Sequence, residues 1–304
     1  MMNNPMTPNR PASHAASATR AAGARPASRA RVAPPALAAA IALAALALTA
    51  PAARADDYLS PTNERVRLSL GVMHLSSTTD LRVDSHQGVM GTPIQAENDF
   101  GLESSNFEPK FQAMVRVGER HRLRFDYFTL DRTGRTTVGD APIVFRDVVL
   151  QPGDPLQTNL SLRTLGISYG YSFIHREKFE IAATIGVNSI DVSSRARVST
   201  ETRHVDQSED QAGPFPTLGF DATYVLSKRF YFDARAQYLK VAINHLTGSL
   251  GFYEIDMLYR LRPNISFALG YTAVKANLES RQTSDGGYFD FNSKGPQAFV
   301  RIAF

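Results

Sequence analysis

Apolar and polar residues alternate with a period of two along most of the chain after residue 60. In residues 107–117 the apolar Phe107, Phe111 and Val115 are separated by polar residues such as Glu108 and Lys110. The same alternation recurs in residues 123–127, 179–187, 218–226 and 253–259. Successive side chains of a strand point to opposite faces, so this period predicts strands with one apolar face. Since no segment shows the 3.6-residue period of an amphipathic helix, the fold is predicted to be all-β.

Applied to the whole chain, the same criterion predicts ten strands. Their approximate spans are 64–76, 107–118, 122–131, 159–174, 178–191, 216–227, 230–243, 250–261, 265–278 and 290–304. The link at 244–249 is short, and if its hairpin is merged into other elements the count falls to eight. The run Ile143–Leu150 inside a long link is also β-like, so strands are able to extend beyond these spans.

The links between the predicted strands alternate in length. Short polar turns fall at 118–121, 175–177, 227–229 and 262–264. The long links at 77–106, 132–158, 192–215 and 279–289 are rich in Gly, Pro, Asp, Ser and Thr. A soluble sandwich has no reason to sort its links in this way. The asymmetry is typical of transmembrane barrels, which have short turns at one end and long loops at the other.

The first 55 residues have the layout of a secretory signal peptide. Residues 1–31 are rich in Ala, Pro, Ser and Arg, and residues 36–50 form an apolar run. The sequence Ala53-Arg54-Ala55 then matches the small-residue pattern of a cleavage site. The apolar run is shorter than the roughly 20 residues of a membrane-spanning helix. The sequence therefore predicts a cleaved signal peptide at 1–55 and one barrel domain at 56–304.

Cleavage would change the charge of the chain. It would take six arginines and no acid away from a net charge of +4, which leaves −2. The basic balance that nucleic-acid binding would need is then absent, and no nucleic-acid partner is expected. The chain has no cysteine, so disulfides, zinc–thiolate sites and thiol nucleophiles are excluded.

The last predicted strand carries the most specific pattern. Pro296, Ala298, Val300, Ile302 and Phe304 fall on one face, and the chain stops on the aromatic residue. This strand resembles the C-terminal strand of bacterial outer-membrane β-barrel proteins. The resemblance covers the whole mature chain as architecture, but it identifies no subfamily.

The resemblance implies a single closed, antiparallel, up-and-down transmembrane β-barrel in the outer membrane of a Gram-negative bacterium. The long loops would be extracellular, the short turns periplasmic, and lipid would surround the wall. The barrel-assembly machinery would read the C-terminal strand through Val300, Ile302 and Phe304. Export across the inner membrane would precede insertion.

The two faces of the predicted strands have different compositions. The outward face is apolar, and its aromatic residues gather near the short turns, as in the aromatic girdle of membrane barrels. These residues are Phe173, Phe179, Phe230, Phe232, Tyr259 and Phe304. The inward face carries seven acids and seven bases. They are Arg67, Glu108, Lys110, Arg116, Arg124, Asp126, Glu180, Asp221, Asp233, Arg235, Glu254, Asp256, Arg260 and Arg301.

A soluble core would not bury fourteen charges without a severe desolvation cost. The interior of a narrow barrel can hold them if they pair, and we therefore predict a salt-bridged plug rather than an open pore. The exception is the ninth strand, whose inward residues are small (Ser266, Ala268, Gly270 and Thr272). Either long side chains from other walls fill that space or a narrow water path follows it.

The sequence predicts no catalytic residue. Several outer-membrane barrels are enzymes that use His with Ser, or His with acids, so each His of the mature chain is a candidate. These are His74, His86, His121, His175, His204 and His245. The candidate combinations are His74 with Ser76 or Ser77, His245 with Ser249, and His204 with Asp206. None has a distinctive sequence frame, and geometry rather than spacing identifies such sites.

Metal and cofactor sites are not predicted. The acidic residues Asp206, Glu209 and Asp210 lack the ordered ligand spacing of a calcium loop. The sequence shows no phosphate loop and no dinucleotide fingerprint. The leading functional interpretation is a structural or surface-interaction role carried by the long loops, with an unknown extracellular ligand. The alternatives are a narrow channel for small solutes, a lipid-modifying or proteolytic enzyme at the rim, and a soluble periplasmic β-protein.

Overall fold

The computed structural model describes residues 59–199, 204–243, 245–282 and 286–304. The predicted signal peptide at 1–55 lies outside these residues. Within them, thirteen strands form, and ten of these close into one antiparallel barrel. The barrel strands are β1 (Val66–Val83), β3 (Ser105–Val117), β4 (His121–Thr137), β7 (Pro155–His175), β8 (Phe179–Ser199), β9 (His204–Val225), β10 (Phe230–Ile243), β11 (Leu246–Arg262), β12 (Ile265–Ser280) and β13 (Gly287–Ala303). The prediction of an all-β, ten-stranded barrel is confirmed.

Each barrel strand pairs with the barrel strand before and after it in sequence. The ring closes between β1 and β13, whose register runs from Arg67 opposite Ala303 to Val83 opposite Gly287. The final residue continues this seam, since the Phe304 amide donates to the Val66 carbonyl at 2.9 Å. A closed ring leaves no unpaired strand edge, which is the condition that lipid places on a spanning sheet.

A short 3-10 helix (Pro61–Asn63) precedes β1, and the remaining elements lie in the long links. They are β2 (Ile94–Gln95), the helical turn α1 (Ala96–Asp99), β5 (Ile143–Phe145) and β6 (Val148–Leu150). The β5–β6 hairpin occupies the β-like run identified in the sequence. Among the described residues, no helix is both long and apolar enough to cross a membrane.

The barrel strands are longer at the long-loop end than the alternation predicted. The link expected at 192–215 is largely strand, because β8 continues to Ser199 and β9 begins at His204. The link expected at 244–249 is a tight connection between Ile243 and Leu246. The sequence underestimated the strand lengths because the apolar residues change face within a strand. In β8 they switch from outward Val187 to inward Val192 and Val198. The switch interrupts the period although the strand itself continues.

The opposite end of the barrel has tight turns. In the β3–β4 turn, Gly118 adopts a positive φ of 67°, which side chains with a Cβ rarely adopt. The β9–β10 turn is held by the Ser227 hydroxyl, which accepts the Phe230 amide at 3.0 Å. We refer to this end as the short-turn end and to the other as the long-loop end.

Candidate functional site

The barrel interior is the candidate site, because it concentrates charged groups that a folded protein must pair. All fourteen predicted inward charges lie on the inner face, and most are almost fully buried. Their ion pairs largely join strands that are not neighbours, so the side chains cross the interior. We call this set of cross-barrel pairs the lumen network.

Glu180 on β8 is the most enclosed acid of the lumen network, with a side chain that is 0% exposed. Arg116 on β3 forms two parallel bonds with it, of 2.7 and 2.8 Å. Arg122 approaches its second oxygen at 3.4 Å, and the Ser172 hydroxyl donates to its first at 2.5 Å. Such a fork between guanidinium and carboxylate is the strongest pairing geometry available to these groups.

Arg235 on β10 is the second centre of the lumen network. Its guanidinium spans the interior to Asp126 on β4 through bonds of 2.8 and 2.9 Å. It also lies 3.4 Å from Asp221 on β9. Arg124 then reaches the other oxygen of Asp221 at 3.0 Å. Two acids and two arginines from three strands therefore share one connected set of bonds.

Lys110 on β3 crosses the barrel to pair with Glu254 on β11. The same ammonium donates to the Gln297 amide oxygen at 2.9 Å, and the amide nitrogen donates to Asp256 at 2.6 Å. A Cβ added at Gly270 would collide with the Asp256 carboxylate. The Asp256 carboxylate therefore fills the space that the absent side chain of Gly270 leaves on β12, the ninth barrel strand.

A segment before β1 enters the short-turn end of the barrel. We call residues 59–64 the N-terminal plug. Glu64 is 2% exposed, and it lies 2.8 Å from Arg67 and 2.9 Å from Arg260. Arg260 also donates to the Leu59 carbonyl at 2.6 Å, while the Ser60 hydroxyl donates to the Glu177 carbonyl at 2.6 Å. Burial raises the pKa of the Glu64 carboxyl, and the facing arginines oppose that rise.

The acid Asp233 connects the N-terminal plug to the closing seam of the barrel. It pairs with Arg301 on β13 and lies 3.8 Å from Arg67 on β1. Thr223 donates to its other oxygen at 2.8 Å. Glu108 differs from the other acids, since it accepts the Asp131 backbone amide at 3.0 Å.

Apolar residues close the interior above the lumen network. Phe128 on β4 and Phe252 on β11 come from opposite walls, and their ring centroids are 6.3 Å apart. A buried cluster surrounds this level, formed by Met73, Leu75, Leu130 and Phe291. Above it, the first long link folds into the mouth, where Glu97 accepts from Arg132 at 2.5 Å. A second apolar cluster then packs α1 against the β5–β6 hairpin and the inner faces of β7 and β8.

The sequence patterns did not predict three buried charged residues of the interior and the partly buried Glu97. Arg122 is 3% exposed and has the inward parity of Arg124, so its position at the start of the strand was the available signal. Arg132 is 1% exposed, but it follows the predicted end of its strand. Glu64 lies in the N-terminal plug and Glu97 in the first long link, and neither segment has an alternation that would predict the direction of its side chains.

The outer face of the barrel carries a continuous apolar band. On β9 it runs from Leu226 to Pro216, and ten steps of about 3.3 Å give roughly 33 Å along the strand. At a tilt of about 40° this corresponds to about 25 Å, the height of the band in outer-membrane barrels. Large apolar side chains within the band are strongly exposed, including Leu218 at 65% and Leu269 at 64%. Such a surface is unfavourable in water and favourable in lipid.

Aromatic residues border the band near the short turns. Phe230 lies 5.0 Å from Tyr259, and Phe179 lies 6.4 Å from Tyr224, between ring centroids. Phe173 in the same region is 46% exposed. Tyr238, Tyr253 and Tyr271 border the band on the opposite side and are also exposed.

The histidines do not gather at one place among the described side chains. His74 packs against the Phe107 ring on the outer wall, with a centroid distance of 4.4 Å. His121 bonds the Tyr169 hydroxyl at 2.6 Å, and His175 lies 3.4 Å from Glu180. His86 bonds Asp147 at 2.6 Å, but both side chains are about half exposed and connect two loops. The side chains of His204, Asp206, Glu209 and Asp210 lie outside what the structure describes, and His245 is exposed. Within the described residues, no group of three or more potential metal ligands occurs.

Comparison with known proteins extends only to the fold. No protein-family model and no curated protein matches the chain. The outer-membrane protease OmpT from Escherichia coli matches 82% of this chain and 100% of its own, with a TM-score of 0.52 and 10% identity. The translocator domain of the autotransporter NalP from Neisseria meningitidis matches 89% of this chain and 98% of its own, with a TM-score of 0.44 and 11% identity. The chain thus has the fold of the bacterial outer-membrane β-barrel proteins, in a ten-stranded form.

Proposed function

We propose that the chain is an integral outer-membrane barrel with a non-conducting lumen, whose long-loop end acts at the cell surface in a structural or surface-interaction role. The observation that carries the proposal is the cross-barrel pairing of buried charges, as in Arg235 with Asp126 and Arg116 with Glu180. Side chains that cross the interior and bond to the far wall occupy the path that a solute would need.

Obstructions at both mouths support the closed state. At the short-turn end, the N-terminal plug is fixed by Glu64 and by backbone carbonyls. At the long-loop end, Arg132 ties the first long link into the mouth, through Glu97 and through a 2.8 Å bond to the Thr79 hydroxyl. A path through the barrel would have to displace the plug, the lumen network and the link.

We expect no stable open level when the folded barrel is inserted into a planar lipid bilayer. The physical reason is that opening would leave charges of the lumen network unpaired in a narrow interior. Single-channel recording measures this directly, with an open porin in the same bilayer as the positive control. A large, stable conductance from protein that migrates as folded on an unboiled gel would contradict the closed lumen and favour the narrow-channel alternative.

The same long-loop end is the part available for surface contacts. Strands β7, β8 and β9 continue beyond the apolar band, and their outward residues there are polar, as with Asn159, Ser161 and Ser193. The inward residues are apolar instead and pack into the cluster with the loops. This arrangement gives a projecting surface with a packed interior, which suits recognition better than transport. The proteolytic activity named for OmpT belongs to that protein, and the exposed His86–Asp147 pair gives no specific reason to extend it here.

Export and assembly form a separate part of the proposal. A signal peptide at 1–55 would deliver the chain, and the C-terminal strand with Val300, Ile302 and Phe304 would be read by the assembly machinery. Intact-mass measurement of the protein from an outer-membrane fraction is expected to give a mature chain beginning at Asp56. A chain that retains residues 1–55 in that fraction would contradict the cleavage.

A further inference from the structure

A polar groove of about 300 Å³ lies on the outer wall across strands β10 to β13. Gly251 forms its floor, because it stands between Tyr238 on β10 and Lys275 on β12 in the strand register. The missing side chain leaves space between the two larger neighbours, and the Tyr253 ring occupies part of it. The ring of Tyr253 lies against Gly251, and a Cβ there would come within 2.8 Å of that ring.

The position of the groove relative to the apolar band fixes its surroundings. Tyr238 and Tyr253 line it and belong to the aromatic border at the long-loop side of the band. On the band side of Tyr253, the outward residues of β11 are Ile255 and Met257, which are 59% and 42% exposed. Tyrosines at such a border occupy the headgroup level of a membrane. The groove therefore opens at the level where lipid headgroups begin.

The cations around the groove are exposed and face outward. Lys275 lines it, Lys240 stands beside Ser249 on one flank, and Lys294 stands beside Ala273 on the other. Within the described residues none of these three lysines takes part in an ion pair. Asp290 lines the far side from the membrane and accepts the Asn277 amide at 3.2 Å. Lys240 stands in the same register row as Asp290, and Lys294 stands closer to the membrane. Three lysines against one aspartate leave the groove with a net positive charge.

We propose that this groove binds the phosphate-bearing headgroup of an outer-leaflet lipid, with the acyl chains lying on the apolar band below it. Lys275 contacts the phosphate at the centre, while Lys240 and Lys294 stand on the flanks and add to the positive charge around it. Tyr238 and Tyr253 contact the sugar or glycerol portion of the headgroup. The inference rests on the proposed insertion of the barrel in a membrane. The charge of the groove favours an anionic group, and its continuity with the apolar band selects a lipid over a free anion.

The test is a titration of the folded full-length mature protein in a non-ionic detergent, followed by native mass spectrometry. The probe is lipid A, a phosphorylated glycolipid, and the matched probe is the same lipid after removal of its phosphates. Lys240→Ser, Lys275→Ser and Lys294→Ser are combined in one variant. Because each exposed lysine near an anionic headgroup contributes on the order of a fivefold gain in affinity, we expect the triple variant to bind at least tenfold more weakly. The dephosphorylated lipid should show a similar loss on the wild-type protein.

The control variant is Arg163→Ser, which removes an exposed outward cation from β7 on the other side of the barrel. It should bind lipid A as the wild type does. If the triple variant binds lipid A as tightly as the wild type does, the groove is not the binding site. Equal binding of lipid A and the dephosphorylated lipid by the wild type would also contradict the proposal. If excess inorganic phosphate displaces all of the bound lipid A, the occupant of the groove is a free anion and not a lipid. Heat-modifiable migration of each variant separates these outcomes from loss of folding, and failure of wild-type barrels to insert into vesicles would count against the proposed function instead.

Discussion

Replacing Glu180 with glutamine is expected to destabilise the barrel by roughly 3–5 kcal/mol. The substitution keeps the shape of the side chain but removes the charge that Arg116 and Arg122 share. Both guanidiniums are at most 3% exposed, so they would remain charged in a site with little access to water. The free energy of unfolding can be measured by urea titration with circular dichroism, since the chain has no tryptophan to report unfolding.

The matched control for Glu180→Gln is Glu279→Gln. Glu279 also pairs with an arginine, Arg281 at 2.9 Å, but its side chain is 45% exposed and that of Arg281 is 71% exposed. Exposed pairs contribute at most about 1 kcal/mol, so this variant should unfold close to the wild type. The double variant Arg116→Met with Glu180→Gln should recover part of the loss, because it removes one of the unpaired cations. Equal stability of Glu180→Gln and Glu279→Gln would contradict the role assigned to the lumen network.

An arginine introduced at Ala183 is expected to cost about 2–4 kcal/mol of stability in a lipid bilayer. Ala183 is exposed on the outer face of β8, at the middle of the apolar band, with Tyr171 and Phe220 beside it in the register. Because the alanine leaves the wall without a bulky side chain, the substitution removes little packing. The loss would come from placing a charge in hydrocarbon. Urea unfolding in vesicles of known thickness measures the difference.

The control for Ala183→Arg is Ser193→Arg on the same strand and the same face. Ser193 lies beyond the apolar band, where the outward residues are polar, and it is exposed. Near or above the membrane surface the cost of an arginine falls to about 0–1 kcal/mol. If the two variants have the same stability in vesicles, the apolar band does not mark the membrane. The same comparison in detergent micelles should show a smaller difference.

The alternation of the sequence predicted the barrel and its inner face because both depend on strand parity. Within the apolar band every second residue must satisfy lipid, so the period is regular and residues such as Asp221 and Arg235 have a predictable direction. The strand ends were harder to predict. Above the band water replaces lipid outside and the loop cluster occupies the interior, so Val192 and Val198 point inward. The resulting change of phase looks like the end of a strand.

The pairing partners inside the barrel could not be predicted from parity. Parity gives a direction for Lys110 and for Glu254, but their meeting depends on the tilt and the stagger of the closed ring. The N-terminal plug and the Glu97 contact lie outside any period, and their positions depend on the shape of the finished mouth. The groove on the outer wall was also unpredictable, because it depends on Gly251 standing between Tyr238 and Lys275 across three strands.

The separation in sequence of the paired charges has a consequence for how the barrel folds. Arg116 and Glu180 are 64 positions apart, Lys110 and Glu254 are 144 apart, and Glu64 and Arg260 are 196 apart. A hairpin formed early therefore gains none of these pairs, and its charged face stays hydrated while the chain is incomplete. The stabilisation arrives only when the last strands bring the far walls together, after the entropy of the long connections has been lost. The interior thereby makes folding cooperative, because a partly assembled barrel is disfavoured until the ring closes.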